Sequence, residues 1–183
     1  MGVFTFLSIQ IEYYLSEVST VPILAMDITQ YASLVQKASY LRGFTINEII
    51  HLERTIDEYL GRHFCKEQST RSELMEWLLC TERITFNSKK DILKLYLEKH
   101  NPDFIKNNPS LFKDLDYIIS KRNILAHQIL DTSPIGMQKF KEDKISFVKI
   151  THKHETIEFN QEEFTRLQEL INKLIIEFKK LLG

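Results

Sequence analysis

Lys121-Arg122-Asn123-Ile124-Leu125-Ala126-His127 brings a guanidinium, a carboxamide and an imidazole into one short stretch. The imidazole can take or give a proton near neutral pH, and the guanidinium can grip an anion through paired N–H groups. The surrounding pattern predicts a helix: Asn108 as a cap, Pro109 at the first helical position, and Leu111, Leu115, Ile118, Leu125 and Ile129 at three- and four-residue spacing. Arg122 falls on that apolar stripe. Partly desolvated there, it needs a carboxylate, a phosphate or a subunit boundary to satisfy it. Asn123 and His127, four apart, share one face, while Arg122 and His127, five apart, are splayed by roughly 140° on an ideal helix. One copy of the chain therefore does not aim both at one atom. A plainer reading stands beside this one. A histidine near a helix C-terminus complements the dipole, and the Ser133-Pro134-Ile135-Gly136 break just downstream puts His127 near that end.

The elements that must position these residues are mostly helical. Thr45-Ile46-Asn47-Glu48 has the pattern of a capping box and opens a helix carrying Ile49, Ile50, Glu53, Ile56, Leu60 and Phe64. Thr70-Arg71-Ser72-Glu73 and Ser88-Lys89-Lys90-Asp91 repeat the box. The tract between Ser69 and Lys99 is either one bent helix or two in sequence, and Ile84-Thr85 followed by Asn87-Ser88 favours two. A loop around 101–109 leads to the Arg122 helix. Alternation from Ile145 to Phe159 about His152-Lys153-His154-Glu155 predicts a hairpin, and Asn160 with Glu163 caps a last amphipathic helix. The expected fold is all-α, an antiparallel helical bundle with a short β-hairpin before its last helix. Residues 43–183 form this bundle. Residues 1–42 read as a hydrophobic extension packing on it, with Ile28–Leu41 a candidate helix carrying Tyr31, Leu34, Val35 and Ala38 inward.

Composition narrows the function classes. A chain of 183 residues, 43% hydrophobic, suits one domain with its own core. A net charge of −1 excludes a generally cationic polyanion binder, yet residues 101–154 hold nine Lys/Arg against six Asp/Glu, making the Arg122 segment the locally positive part. Cys65 and Cys80 form no metal-ligand spacing and are too few for a disulfide framework. No apolar run reaches membrane-spanning length, so the expected setting is a soluble protein in a reducing cytoplasm. No Walker-type glycine loop, GxSxG or HExxH is present, and no cofactor or metal is expected. His152-x-His154 lacks a further ligand at metal spacing. Glu53, Asp57 and Glu58 are candidate general bases whose commoner role is a solvated face, and Trp77, Tyr96 and Phe112 read as core.

With Arg122-Asn123-Ile124-Leu125-Ala126-His127 placed near the end of a penultimate helix, the chain resembles the HEPN (higher eukaryotes and prokaryotes nucleotide-binding) superfamily. Its Arg-x4–6-His motif, often with a polar residue after the arginine, lies near a helix end in a small α-bundle. Thr85-Phe86-Asn87-Ser88-Lys89 followed by Leu93 resembles a second family trait. The match covers residues 43–182. It implies metal-independent cleavage of RNA, in toxin, defence or RNA-processing settings, by a homodimer whose two motif helices form a composite site. In that role His127 is the general acid or base, Arg122 clamps the scissile phosphate and Asn123 orients His127 or the phosphate; the products are a 2′,3′-cyclic phosphate and a 5′-hydroxyl. A second expectation is a non-catalytic HEPN module binding a nucleotide or a protein, for example an antitoxin or nucleotidyltransferase partner. A third is a purely structural helical dimer, in which Arg122 pairs with a carboxylate of its own chain.

Overall fold

The computed structural model describes residues 28–81, 83–149 and 155–182. Its first helix, α1 (Ile28–Phe64), runs unbroken through the position where the capping-box pattern predicts a start. The reason is burial. Leu34, Ala38, Leu41, Thr45, Ile49, Leu52 and Ile56 are all buried at helical spacing, so one apolar stripe passes straight across Gly43. A glycine inside a helix costs about 1 kcal/mol relative to alanine, whereas each large aliphatic side chain taken out of water gains about 1.5–3 kcal/mol. The stripe wins. Thr45 is consequently a buried helix-interior residue, and its Oγ1 has no hydrogen-bond partner among the described residues.

Two further helices frame the next connection. The helix α2 (Gln68–Leu74) continues into a π-helical turn, Met75–Leu79, and α3 (Phe86–His100) starts afresh after it. The break between them falls where Ile84, Thr85 and Asn87 disfavour helix interior, as the sequence indicates. Its cap, however, is Thr85, whose hydroxyl accepts from the Ser88 amide at 3.2 Å, three residues before the expected Ser88 cap. Trp77, expected in the core, is 59% exposed on the π-helical turn. A π-helical turn rotates the following side chains away from the i+3/i+4 face on which that expectation rested. The stretch expected as a loop contains a short helix, α4 (Pro102–Asn107), and α5 (Leu111–His127) then carries the Arg122 motif.

After α5 the chain forms β1 (Ile129–Leu130), α6 (Pro134–Lys141), β2 (Lys144–Lys149), β3 (Glu155–Asn160) and α7 (Gln161–Leu182). The expected hairpin is present as β2 and β3, pairing Ile145 with Phe159 and Phe147 with Ile157. The added strand β1 pairs antiparallel with β2, giving a three-stranded sheet in the order β1-β2-β3. Ile129, expected on the α5 stripe, is an exposed strand residue. Ser133 and Pro134, expected as a break, end one element and begin another: the Ser133 hydroxyl caps α6 by accepting from Gly136 N at 3.2 Å. The last helix opens on a reciprocal capping box, Glu163 N to Asn160 Oδ1 at 2.8 Å and Asn160 N to Glu163 Oε2 at 3.3 Å.

α1 links two apolar cores. Its C-terminal part, from Ile49 to Leu60, packs with α3, α5 and α7 through residues such as Leu93, Leu115, Ile118, Ile171 and Phe178. Its N-terminal part packs Leu34, Ala38 and Leu41 with Leu125, Met137, Phe147, Phe159 and Phe164. Residues 28–42, placed in an extension by the sequence, thus pack on the body as turns of the same helix that forms the bundle, with Tyr31 outward. The rest of the expected extension, residues 1–27, lies outside the described residues. Among the described residues the architecture is mostly helical with one small antiparallel sheet. No described helix is long and apolar enough to cross a membrane.

Candidate functional site

Buried Leu111, Leu115, Ile118 and Leu125 form the inward stripe of α5, and Arg122 sits on it, four residues after Ile118 and three before Leu125. It is half-buried, as its position predicts. Its Nη1 donates a long bond of 3.4 Å to Asn123 Oδ1, and among the described residues no carboxylate lies within 4.0 Å of it. The own-chain ion pair that a purely structural role requires is therefore not found among those residues. Asn123 and His127 are exposed. His127 is the last residue of α5, beside the Gln128 carbonyl that Arg42 Nη2 holds at 2.8 Å while its guanidinium lies 4.8 Å over the Phe147 ring. Those contacts tie the motif's end to α1 and the sheet.

Arg122 opens onto a cleft of about 510 Å³. α1 supplies Ile50, Glu53 and Arg54 to it, α3 supplies Phe86 and Lys89, and the α2–α3 connection adds Cys80, Thr81, Ile84 and the cap residue Thr85. Neither Asn123 nor His127 lines it. The structure therefore brings only one of the three motif residues to this cleft. A second hollow of about 560 Å³ between α1 and α2 differs in kind. Its arginines are committed, Arg62 to Glu58 at 2.7 Å and Arg71 to the carbonyls of Cys65 and Lys66.

The cleft floor carries a charge cluster that the sequence reading did not assemble. Lys89 is 2% exposed, and its Nζ donates to Glu53 Oε1 at 2.6 Å and to Asp57 Oδ2 at 2.9 Å. Asp57 is fully buried, and its Oδ1 has no partner among the described residues. Burial pushes the Asp57 carboxyl up to about 6, a rise that the Lys89 bond and charge only partly oppose. Both residues could have been found by the argument that singled out Arg122. Asp57 sits on the α1 stripe beside Ile56 and Leu60, and Lys89 on the α3 stripe between Phe86 and Leu93. A charge on an apolar stripe requires an opposite charge. Glu58, weighed with them as a base, is instead paired with Arg62.

Elsewhere, Tyr96 and Phe112 pack half-buried against the core, and the Tyr96 hydroxyl lies 2.6 Å from His63 Nδ1. Burial, reinforced by His100, lowers the His63 pKa. His152 and His154 lie outside the described residues, among which no three His, Cys, Asp or Glu side chains come together as a metal site. No family model, no curated protein and no solved structure matches the chain.

Proposed function

We propose that this protein is a HEPN-like, metal-independent endoribonuclease that acts as a two-fold dimer, in a toxin, defence or RNA-processing setting. The observation that carries the reading is Arg122: half-buried, without a carboxylate within 4.0 Å among the described residues, and opening onto a cleft, while His127 stands exposed at the end of the same helix. A guanidinium so placed is free to meet a phosphate. Because His127 is not in the cleft of its own protomer, an imidazole must reach the bound phosphate from a second copy, and a symmetric pair of α5 helices supplies it twice.

RNA carries its own nucleophile. The imidazole of His127 takes the proton of the ribose 2′-hydroxyl, whose oxygen attacks the adjacent phosphorus, and the P–O5′ bond breaks. A proton returned to the leaving oxygen completes the 5′-hydroxyl product beside a 2′,3′-cyclic phosphate. Arg122 carries the charge that gathers on the phosphoryl oxygens, and Asn123, bonded to Arg122, orients it. The purified protein is expected to cut RNA in the presence of EDTA. Arg122→Ala and His127→Ala are each expected to lower the rate at least about a hundredfold with the fold retained, since both side chains lie outside the fully buried core. Salt-sensitive RNA binding without cutting would support instead the non-catalytic module, free-standing or partnered with an antitoxin or nucleotidyltransferase.

A further inference from the structure

The cleft beside Arg122 contains more than one arginine. Arg54 is exposed on α1 and, among the described residues, has no carboxylate within 4.0 Å. Thr85 and Phe86 bring the start of the 15-residue α3 to the same space, and Thr85 caps only the Ser88 amide there. The Phe86 and Asn87 N–H groups remain without intrahelical acceptors, at the positive end of the helix dipole. Glu53 faces the cleft too, but its charge is met by the Lys89 ammonium at 2.6 Å. Counting Arg54, Arg122 and Lys89 against Glu53 and the buried Asp57, the described residues of the site are net positive by one. Its walls are not all polar: Ile50 and Ile84 supply hydrocarbon that a bare anion would leave unused. An anionic group beside a flat apolar one matches both features, and about 510 Å³ holds one nucleotide comfortably.

We infer that this cleft is a nucleotide subsite built within one protomer, in which Arg54 and the first turn of α3 join Arg122 on a phosphate while Ile50 and Ile84 hold the attached base. The inference rests on the ribonuclease reading for its choice of ligand. It assigns the nucleotide flanking the scissile bond to the protomer whose Arg122 grips the phosphate.

The test is an amide chemical-shift titration of the full chain at low salt, with adenosine 5′-monophosphate and, separately, inorganic phosphate. Shifts are expected to concentrate around Arg54, Thr81 and Phe86, with the nucleotide saturating at about tenfold lower concentration than phosphate because only it uses the apolar wall. Arg54→Ala and Ile50→Glu, both at exposed positions, are expected to raise the nucleotide midpoint about fivefold or more, the rest of the spectrum reporting an intact fold. Shifts away from the cleft, equal binding of nucleotide and phosphate, or an Arg54→Ala midpoint equal to that of the unaltered protein would each overturn the subsite. Cut RNA combined with any of those results defeats the subsite alone. Uncut RNA combined with the expected titration defeats the ribonuclease reading and leaves the subsite standing.

Discussion

Asp57 shows how one buried carboxyl can shape both stability and the neighbouring site. Its folded pKa of about 6 lies above the ordinary 3.8, so the folded protein binds this proton more tightly than the unfolded chain does. The resulting stabilisation is complete below about pH 4 and is lost as pH rises through 6. At about 1.4 kcal/mol per pH unit, the swing is on the order of 3 kcal/mol. Asp57→Asn keeps the shape and an acceptor for Lys89 but removes the titration. Urea unfolding at pH 4.5 and pH 7.5 should therefore show the unaltered protein losing stability relative to Asp57→Asn as pH rises. Equal differences at the two pH values would mean that Asp57 does not titrate as burial dictates. The same side chains mark what could be read from residues alone. Arg122 on an apolar stripe was legible because its motif drew the eye, whereas Asp57 and Lys89 obey the same rule on helices 32 positions apart, and no local pattern pairs them.

Among the elements, those with self-contained signals were legible. The Asn160/Glu163 capping box forms as written, and the strict alternation about the hairpin gives β2 and β3. Errors arose where tertiary burial overrode a local start signal, as at Thr45, or where a helix changed its winding, as at Trp77. Strand β1 and helix α6 are too short to carry a period. α1 offers a direct check on the first of these causes. A Cβ added at Gly43 meets nothing within 4 Å, and the residue is exposed inside a continuous helix. Gly43→Ala is expected to stabilise the protein by about 0.5–1 kcal/mol in denaturant unfolding. Destabilisation would mean that the helix is interrupted there, as the capping-box pattern at Thr45 first suggests.

At the scale of the whole molecule, the proposed ribonuclease needs Arg122 and His127 to act together, although only one of them reaches the cleft of a protomer. A symmetric dimer provides two equivalent sites, each taking its guanidinium from one subunit and its imidazole from the other. That arrangement has a consequence no single-chain site shares. In a heterodimer of Arg122→Ala with His127→Ala, one site lacks both groups and the other has both intact. Two inactive proteins, unfolded together and refolded as a mixture, should thus recover RNA cleavage. Random pairing makes about half of the dimers mixed, each with one working site of two, so about a quarter of the unaltered activity should return. Sites completed within one protomer would recover nothing on mixing, because every site would still lack one group. The measurement needs only the two variants, a labelled RNA and a sedimentation check that dimers re-form, and a mixture that stays inactive while dimeric sinks the shared site.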